Sequence, residues 1–167
     1  VEIAGCRGSQ TWLNTRKRRA PRNVTDRDFD IDPFLARPLT ARIATNGPTI
    51  RPAWFLWEDN AFWTITGPWS VLPKRVRTDP VIAMVVDECD LATGTVRQVI
   101  ARGQAEILPF DVPRGYRKLA RYLGENVSQW DQRFRRLTED PTDIAWLRLS
   151  PTSITAKDLS YEVQPPR

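Results

Sequence analysis

The stretch Thr64-Ile65-Thr66-Gly67-Pro68-Trp69-Ser70, followed by Lys74 and Arg75, gathers the residue types that hold a phosphate. Hydroxyls, a Gly-Pro turn and two cations follow a strand end and open a short helix. Backbone N–H groups and charged donors would then face an anion together. The same residues would also serve as a turn followed by a solvated basic helix. A second group lies upstream. Arg51-Pro52-Ala53-Trp54-Phe55 stands beside the Thr64–Thr66 strand. Trp54, Trp57, Trp63 and Trp69 place four of the seven tryptophans in one hairpin and the turn after it. Indoles suit a planar aromatic ligand or a subunit interface, and equally a bulky core.

What is missing narrows the chemistry. The chain has no histidine, which excludes His-based triads, ligands and proton relays. Two cysteines, Cys6 and Cys89, cannot build a four-cysteine zinc site, and no metal is expected. A pair between them is open, although reduced thiols fit the cytoplasmic location expected here. Cys89 lies between Glu88 and Asp90, whose carboxylates would raise a thiol pKa and blunt it as a nucleophile. No GxGxxG or P-loop pattern occurs. No catalytic side chain stands out, so any redox chemistry would need a borrowed cofactor.

The elements that must position these residues read mostly as strands. Leu39 to Thr45 alternates, Asn46-Gly47 is a strong hairpin signal, and Thr49 to Trp57 returns as a second strand. Glu58-Asp59-Asn60 turns into a third strand, Ala61 to Thr66, giving three adjacent antiparallel strands. Val71 to Thr78 predicts a short helix ended by Asp79-Pro80. Val81 to Asp87 predicts a central strand, and Glu88 to Gly94 a loop. Thr95 to Leu108 predicts a long strand with a bulge or close approach at Gly103. Asp111 can cap a helix in which Tyr116, Leu119, Ala120 and Leu123 share a face. A second helix would carry Val127, Trp130, Phe134 and Leu137. Ile144–Leu149 and Ser153–Leu159 read as two closing strands. Long antiparallel strands with two helical breaks favour a closed or split barrel over a sheet with open edges.

The charge is unevenly placed. Of 167 residues, 25 are Lys or Arg and 20 are Asp or Glu. Residues 1–27 hold seven of the bases and only two of the acids, so this segment carries the whole excess of +5. It reads as a basic, flexible N-terminal arm around the run Arg16–Arg19, with residues 28–167 as one domain. A neutral body argues against a nucleic-acid-binding domain. No apolar run approaches the roughly 18–20 residues of a membrane helix, and no secretory signal is visible.

Five stretches, taken in order, resemble the pyridoxamine 5′-phosphate oxidase-like, FMN-binding split-barrel superfamily. They are Pro38 to Gly47, Arg51 to Asp59, Phe62 to Ser70, Lys74 to Val86 and Gln98 to Glu106. The nearest flavour is the actinobacterial branch that includes users of the deazaflavin coenzyme F-420. The resemblance implies a mainly β fold with flanking helices, a six-stranded antiparallel split β-barrel. It also implies a homodimer with FMN or F-420 at the interface. By position, Arg51, Pro52, Ala53, Trp54 and Phe55 would face the ring system. Thr64, Ile65, Thr66, Gly67 and Trp69 would run beside the ribityl chain. Ser70, Lys74 and Arg75 would hold the phosphate, and Gln98 would reach the ring edge. Where the family often has a lysine two residues after the loop serine, this chain has Leu72. The Arg-x-His pattern of true pyridoxamine phosphate oxidases is absent, which argues against vitamin B6 oxidation. The expected function is an oxidoreductase passing hydride between FMN or F-420 and a small organic substrate. The alternative is a non-catalytic carrier of flavin, deazaflavin or haem.

Overall fold

The computed structural model describes residues 25–163; Cys6, Arg16–Arg19 and most of the basic arm lie outside them. In chain order the elements are β1 (Thr25–Arg27), α1 (Ile31–Leu35), β2 (Thr40–Thr45), β3 (Thr49–Trp54), β4 (Leu56–Glu58) and β5 (Ala61–Thr66). There follow α2 (Leu72–Thr78), β6 (Val81–Asp90), β7 (Thr95–Pro109), α3 (Val112–Leu123), a 3-10 turn (Val127–Gln129), α4 (Gln132–Glu139) and β8 (Ala145–Asp158).

The strands form one sheet in the order β3-β2-β6-β7-β8-β5-β4, antiparallel throughout, with β1 added in parallel to β8. The two ends of that order, β3 and β4, are joined in sequence by Phe55 alone. The sheet must therefore curl until its edges meet, which is a split barrel. Alternation drives the curl inward. Along β2, Ala41, Ile43 and Thr45 are buried, and along β6, Ile82, Met84 and Val86 are. They meet Val99, Ala101, Leu147, Leu149 and Phe62 in the interior, which also receives Ile31, Phe34 and Leu35 from α1. Burying such side chains stabilises by about 1.5–3 kcal/mol each.

The fold class is the expected one, with local differences. The run Thr49–Trp57 is two strands, because at Phe55 the chain crosses from one sheet edge to the other. β5 pairs with β8, not with β3, so the first three expected strands are not a continuous meander. β6 continues into the expected loop as far as Asp90. The two closing strands are one 14-residue strand, β8, whose first half pairs with β5 and whose second half pairs with β1. Thr25–Arg27, at the end of the expected arm, is thus part of the sheet. The bulge expected at Gly103 is present, with a register shift between Arg102 and Gly103 against β8. A Cβ there would lie 2.2 Å from the Ser150 carbonyl oxygen, so only glycine permits the approach. Among the described residues no helix is long and apolar enough to cross a membrane.

Candidate functional site

A barrel that closes through one residue leaves a seam. β3 and β5 face each other there without pairing, and a cavity of about 530 Å³ opens between them. Arg51, Pro52, Ala53 and Trp54 line it from β3, and Thr64, Ile65 and Thr66 from β5. Trp69, Ser70 and Leu72 close one side. Lys118 and Leu119 of α3, with Arg133, Phe134 and Leu137 of α4, cover the other. The volume falls within the range of small-molecule sites.

The β5 face carries an unusual polar pair. Phe62 is in the core, but Thr64 and Thr66, two and four residues on, place hydroxyls in the same interior. Both residues are buried, and neither Oγ1 has a hydrogen-bond partner. A buried unsatisfied hydroxyl costs about 1–3 kcal/mol. Two of them belong to residues of one cavity wall.

The turn after β5 is set by its own backbone. Ser70 N–H donates to the Gly67 carbonyl at 3.0 Å, and Ser70 Oγ accepts from Leu72 N–H at 3.1 Å. Arg51 also donates to Ser70 Oγ, which ties the β3 cation to the turn across the seam. Gly67 has a steric task. A Cβ there would lie 2.4 Å from the Trp69 ring, so the missing side chain is the space the indole occupies.

Trp54 is held between two rings. Tyr122 stacks on it at 4.6 Å between centroids and Phe134 at 5.4 Å. Trp54 thus lines the cavity as part of an aromatic cluster. The Tyr122 hydroxyl lies 2.8 Å from the Leu39 carbonyl and 3.0 Å from the Phe55 carbonyl, its donor targets. It accepts from Phe55 N–H at 3.1 Å. This pins α3 to the point where the barrel closes. The other end of α3 begins at Asp111, which caps it by accepting from Arg114 N–H at 2.9 Å. Glu58, in the β4–β5 hairpin, then takes Arg114 at 2.7 Å and Arg117 at 2.9 Å. Partial burial alone would raise the Glu58 pKa. Hydrogen bonds and charge from the two arginines outweigh it and hold the carboxyl below its ordinary value.

These anchors fix the rotation of α3. The buried stripe is Gly115, Lys118 and Leu119, completed by half-buried Tyr122. The stripe expected from Tyr116, Leu119, Ala120 and Leu123 is thus one residue out of phase, and Tyr116 is exposed. Its hydroxyl donates to the Glu125 carbonyl and its ring stacks on Trp130. The expected second helix is broken at Asp131, which caps α4. Trp130 is buried away from the cavity and donates to the Gly124 carbonyl at 2.8 Å.

Lys118 is 4% exposed and lines the cavity. Burial, reinforced by the nearby Arg121 charge, pushes its pKa down to about 7.

Nine of the expected site residues therefore meet at one cavity: Arg51, Pro52, Ala53, Trp54, Thr64, Ile65, Thr66, Trp69 and Ser70. Gly67 supports it from behind Trp69. Phe55 is fully buried and offers the cavity no surface. Lys74 and Arg75 do not join it. Leu72 and Val76 are the buried residues of α2, so Lys74, two positions from each, lies on the opposite face. Both cations line a depression with Asn46, Gly47 and Asp79, where Arg75 donates to the Asn46 carbonyl at 2.9 Å, and Arg75 also lines a smaller pocket with Arg51 and Leu72 beside the seam cavity. Gln98 lies on the outer sheet face, in a shallow groove with Arg42, Ile50 and Asp87. The lining residues not expected at the site were Leu72, Lys118, Leu119, Arg133, Phe134 and Leu137. The spacing Gly115, Lys118, Leu119, Tyr122 (i, i+3, i+4, i+7) is the signal that could have found Lys118.

The pyridoxamine 5′-phosphate oxidase family profile matches residues 30–158. No significant match was found among curated proteins. Among solved structures, a conserved hypothetical protein from Mycobacterium tuberculosis is similar at TM-score 0.63 and 18% identity, covering 90% of this chain and 98% of that one. An F-420 reductase is similar at TM-score 0.54 and 23% identity, covering 72% and 92%. A FAD-binding protein from Mesorhizobium loti is similar at TM-score 0.53 and 18% identity, covering 75% and 90%. At these identities the structural likeness speaks to the fold.

Proposed function

The chain belongs to the pyridoxamine 5′-phosphate oxidase family, and from that premise we propose that its seam cavity holds a flavin-type cofactor, FMN or deazaflavin F-420. The protein would then be an oxidoreductase acting on a small organic molecule. One observation carries the reading. Among the described residues the cavity is lined by three basic side chains, Arg51, Lys118 and Arg133, and by no carboxylate, and the buried Thr64 and Thr66 hydroxyls have no partner. Such a lining fits an anionic, hydroxyl-rich ligand with an apolar ring. When bound, the cofactor supplies the hydride chemistry.

The chain's own part is binding and exclusion of water. Arg51 and Ser70 would hold the phosphate, and Thr64 and Thr66 the polyol. Leu72, buried where the family often has lysine, brings no charge there. Arg51 and Ser70 would therefore carry the phosphate alone. The Tyr122–Trp54–Phe134 stack would shut one end against solvent. Neither Tyr116 nor Tyr122 is free to give a proton, since each is bonded to a main-chain carbonyl. Support for a homodimer comes from the outer sheet face, where Ile50 and Val81 are exposed beside Ala44, Ala83 and Val85. Light scattering at micromolar concentration tests that extension. Steady-state oxidation of added reduced FMN or F-420 in the presence of an organic acceptor tests the enzymatic reading. Binding without turnover would favour a carrier.

A further inference from the structure

Lys118 occupies a position in the buried stripe of α3 that an aliphatic residue would ordinarily fill. It forms no hydrogen bond or ion pair among the described residues. Its amine faces the rings of Trp54 at 5.9 Å and Tyr122 at 5.8 Å. Among the described residues the charged group that acts on it is Arg121 on its own helix; the other charged residues of the cavity lining are Arg51 on β3 and Arg133 on α4, the latter paired with Asp131 at 3.6 Å. Tyr122, the titratable neighbour on α3, is committed to the backbone of Leu39 and Phe55, and burial raises its pKa. Glu58 is taken by Arg114 and Arg117. A buried cation without a counter-ion is a standing cost to the fold. Placed on a cavity wall, it is relieved by loss of its proton or, while it stays charged, by negative charge that enters from outside.

We propose that Lys118 pairs with an anionic group on the small-molecule substrate, and that the substrate class is a planar organic acid, a carboxylate or stabilised enolate. The inference rests on the seam cavity being the ligand site and deepens that reading. The lining separates the two ends chemically. Arg51 and Ser70 form a polar corner, whereas the helical wall sets Lys118 with Leu119, Phe134 and Leu137, which suit the ring of such an acid, and with Arg133, whose guanidinium lies over the Phe134 ring. An anion at Lys118 also favours the ammonium form. Above neutral pH, binding should therefore draw a proton from solution.

The test uses benzoate and its neutral isostere benzamide as probes on the full chain, by calorimetry in two buffers of different ionisation enthalpy at about pH 8. Wild type should bind benzoate at millimolar or lower concentration with uptake of part of a proton. Lys118→Met should weaken benzoate by about 10–100-fold, abolish the uptake and leave benzamide unchanged. Lys118→Gln serves as a second variant should the Met protein lose its fold, which near-ultraviolet circular dichroism reports. Equal benzoate affinity in wild type and variant, binding without proton uptake, or no binding to wild type would each overturn the proposal. A parallel titration with FMN and riboflavin separates the sources of charge. If Lys118→Met weakens FMN but not riboflavin, the lysine holds the cofactor's phosphate and the substrate assignment is wrong. If neither flavin binds while benzoate discriminates, the flavin reading fails and the Lys118 assignment stands.

Discussion

Lys118→Met should make the protein more stable, and by an amount that depends on pH. Burial penalises the ammonium form, so the folded state binds the proton more weakly than the unfolded chain. Below pH 7 both states are protonated and wild type bears the whole penalty. Between about pH 7 and 10.5 the folded lysine is neutral while the unfolded one is still charged, and wild-type stability rises with pH. Above that window the penalty is gone. A fall from 10.5 to about 7 corresponds to about 5 kcal/mol, at ~1.4 kcal/mol per pH unit. Relaxation and entry of water reduce what a substitution recovers, so we expect a gain of about 2–4 kcal/mol near pH 6. Methionine keeps an unbranched side chain, one atom shorter, without the charge. Urea unfolding at about pH 6 and about pH 9 measures the effect, with the slope of the transition checked for constancy. The gap between variant and wild type should shrink at the higher pH. A variant less stable than wild type near pH 6, or a gap indifferent to pH, would refute the assignment of Lys118 as a buried, uncompensated cation.

Arg51→Ala should weaken FMN by about tenfold or more and riboflavin far less, since one charged hydrogen bond contributes about 1.5–3 kcal/mol; Lys74→Ala, outside the cavity, should leave both unchanged. Fluorescence titration of the two variants measures both effects. Thr66→Val removes an unpartnered buried hydroxyl and should stabilise the free protein by about 1 kcal/mol while weakening FMN several-fold, read by urea unfolding and the same titration. Glu58→Gln loosens α3 at Arg114 and Arg117 and should cost about 1–2 kcal/mol at neutral pH. Glu58 titrates below its ordinary value in the folded state, so its contribution is present above the usual carboxylate range and fades as the pH falls through its lowered pKa. Urea unfolding at about pH 7 and about pH 3 measures both the loss and its disappearance.

Local signals in this chain were readable and long-range partners were not. Asn46-Gly47 announced the β2–β3 hairpin, Asp111 the start of α3, and Gly103 the bulge, because each is written in a few adjacent residues. The pairing of β5 with β8 joins Phe62 to Leu149, and no local pattern encodes such a partner. The break at Phe55 was hidden inside an apolar run, Ala53 to Trp57, that reads equally well as one strand. The cavity's β3 and β5 walls were legible because resemblance and chemistry agreed on Arg51–Trp54 and Thr64–Ser70. Its helical wall was not, because Lys118 looks like a solvated residue until tertiary anchors at Glu58, Leu39 and Phe55 fix the helix rotation. Lys74 is the converse case. Its type and proximity to Ser70 suit a phosphate, but the phase of α2, set by Leu72 and Val76, turns it away.

The central claim is that the seam between β3 and β5 is a flavin-type cofactor site. Titration of the purified protein with FMN and with F-420, following tryptophan fluorescence, tests it most directly, because Trp54 and Trp69 line the cavity itself. The account predicts saturable quenching by one of the two, at one cofactor per chain, and a marked loss of that affinity in Arg51→Ala. Fluorescence that does not respond to either ligand, or a response that Arg51→Ala leaves intact, would contradict it.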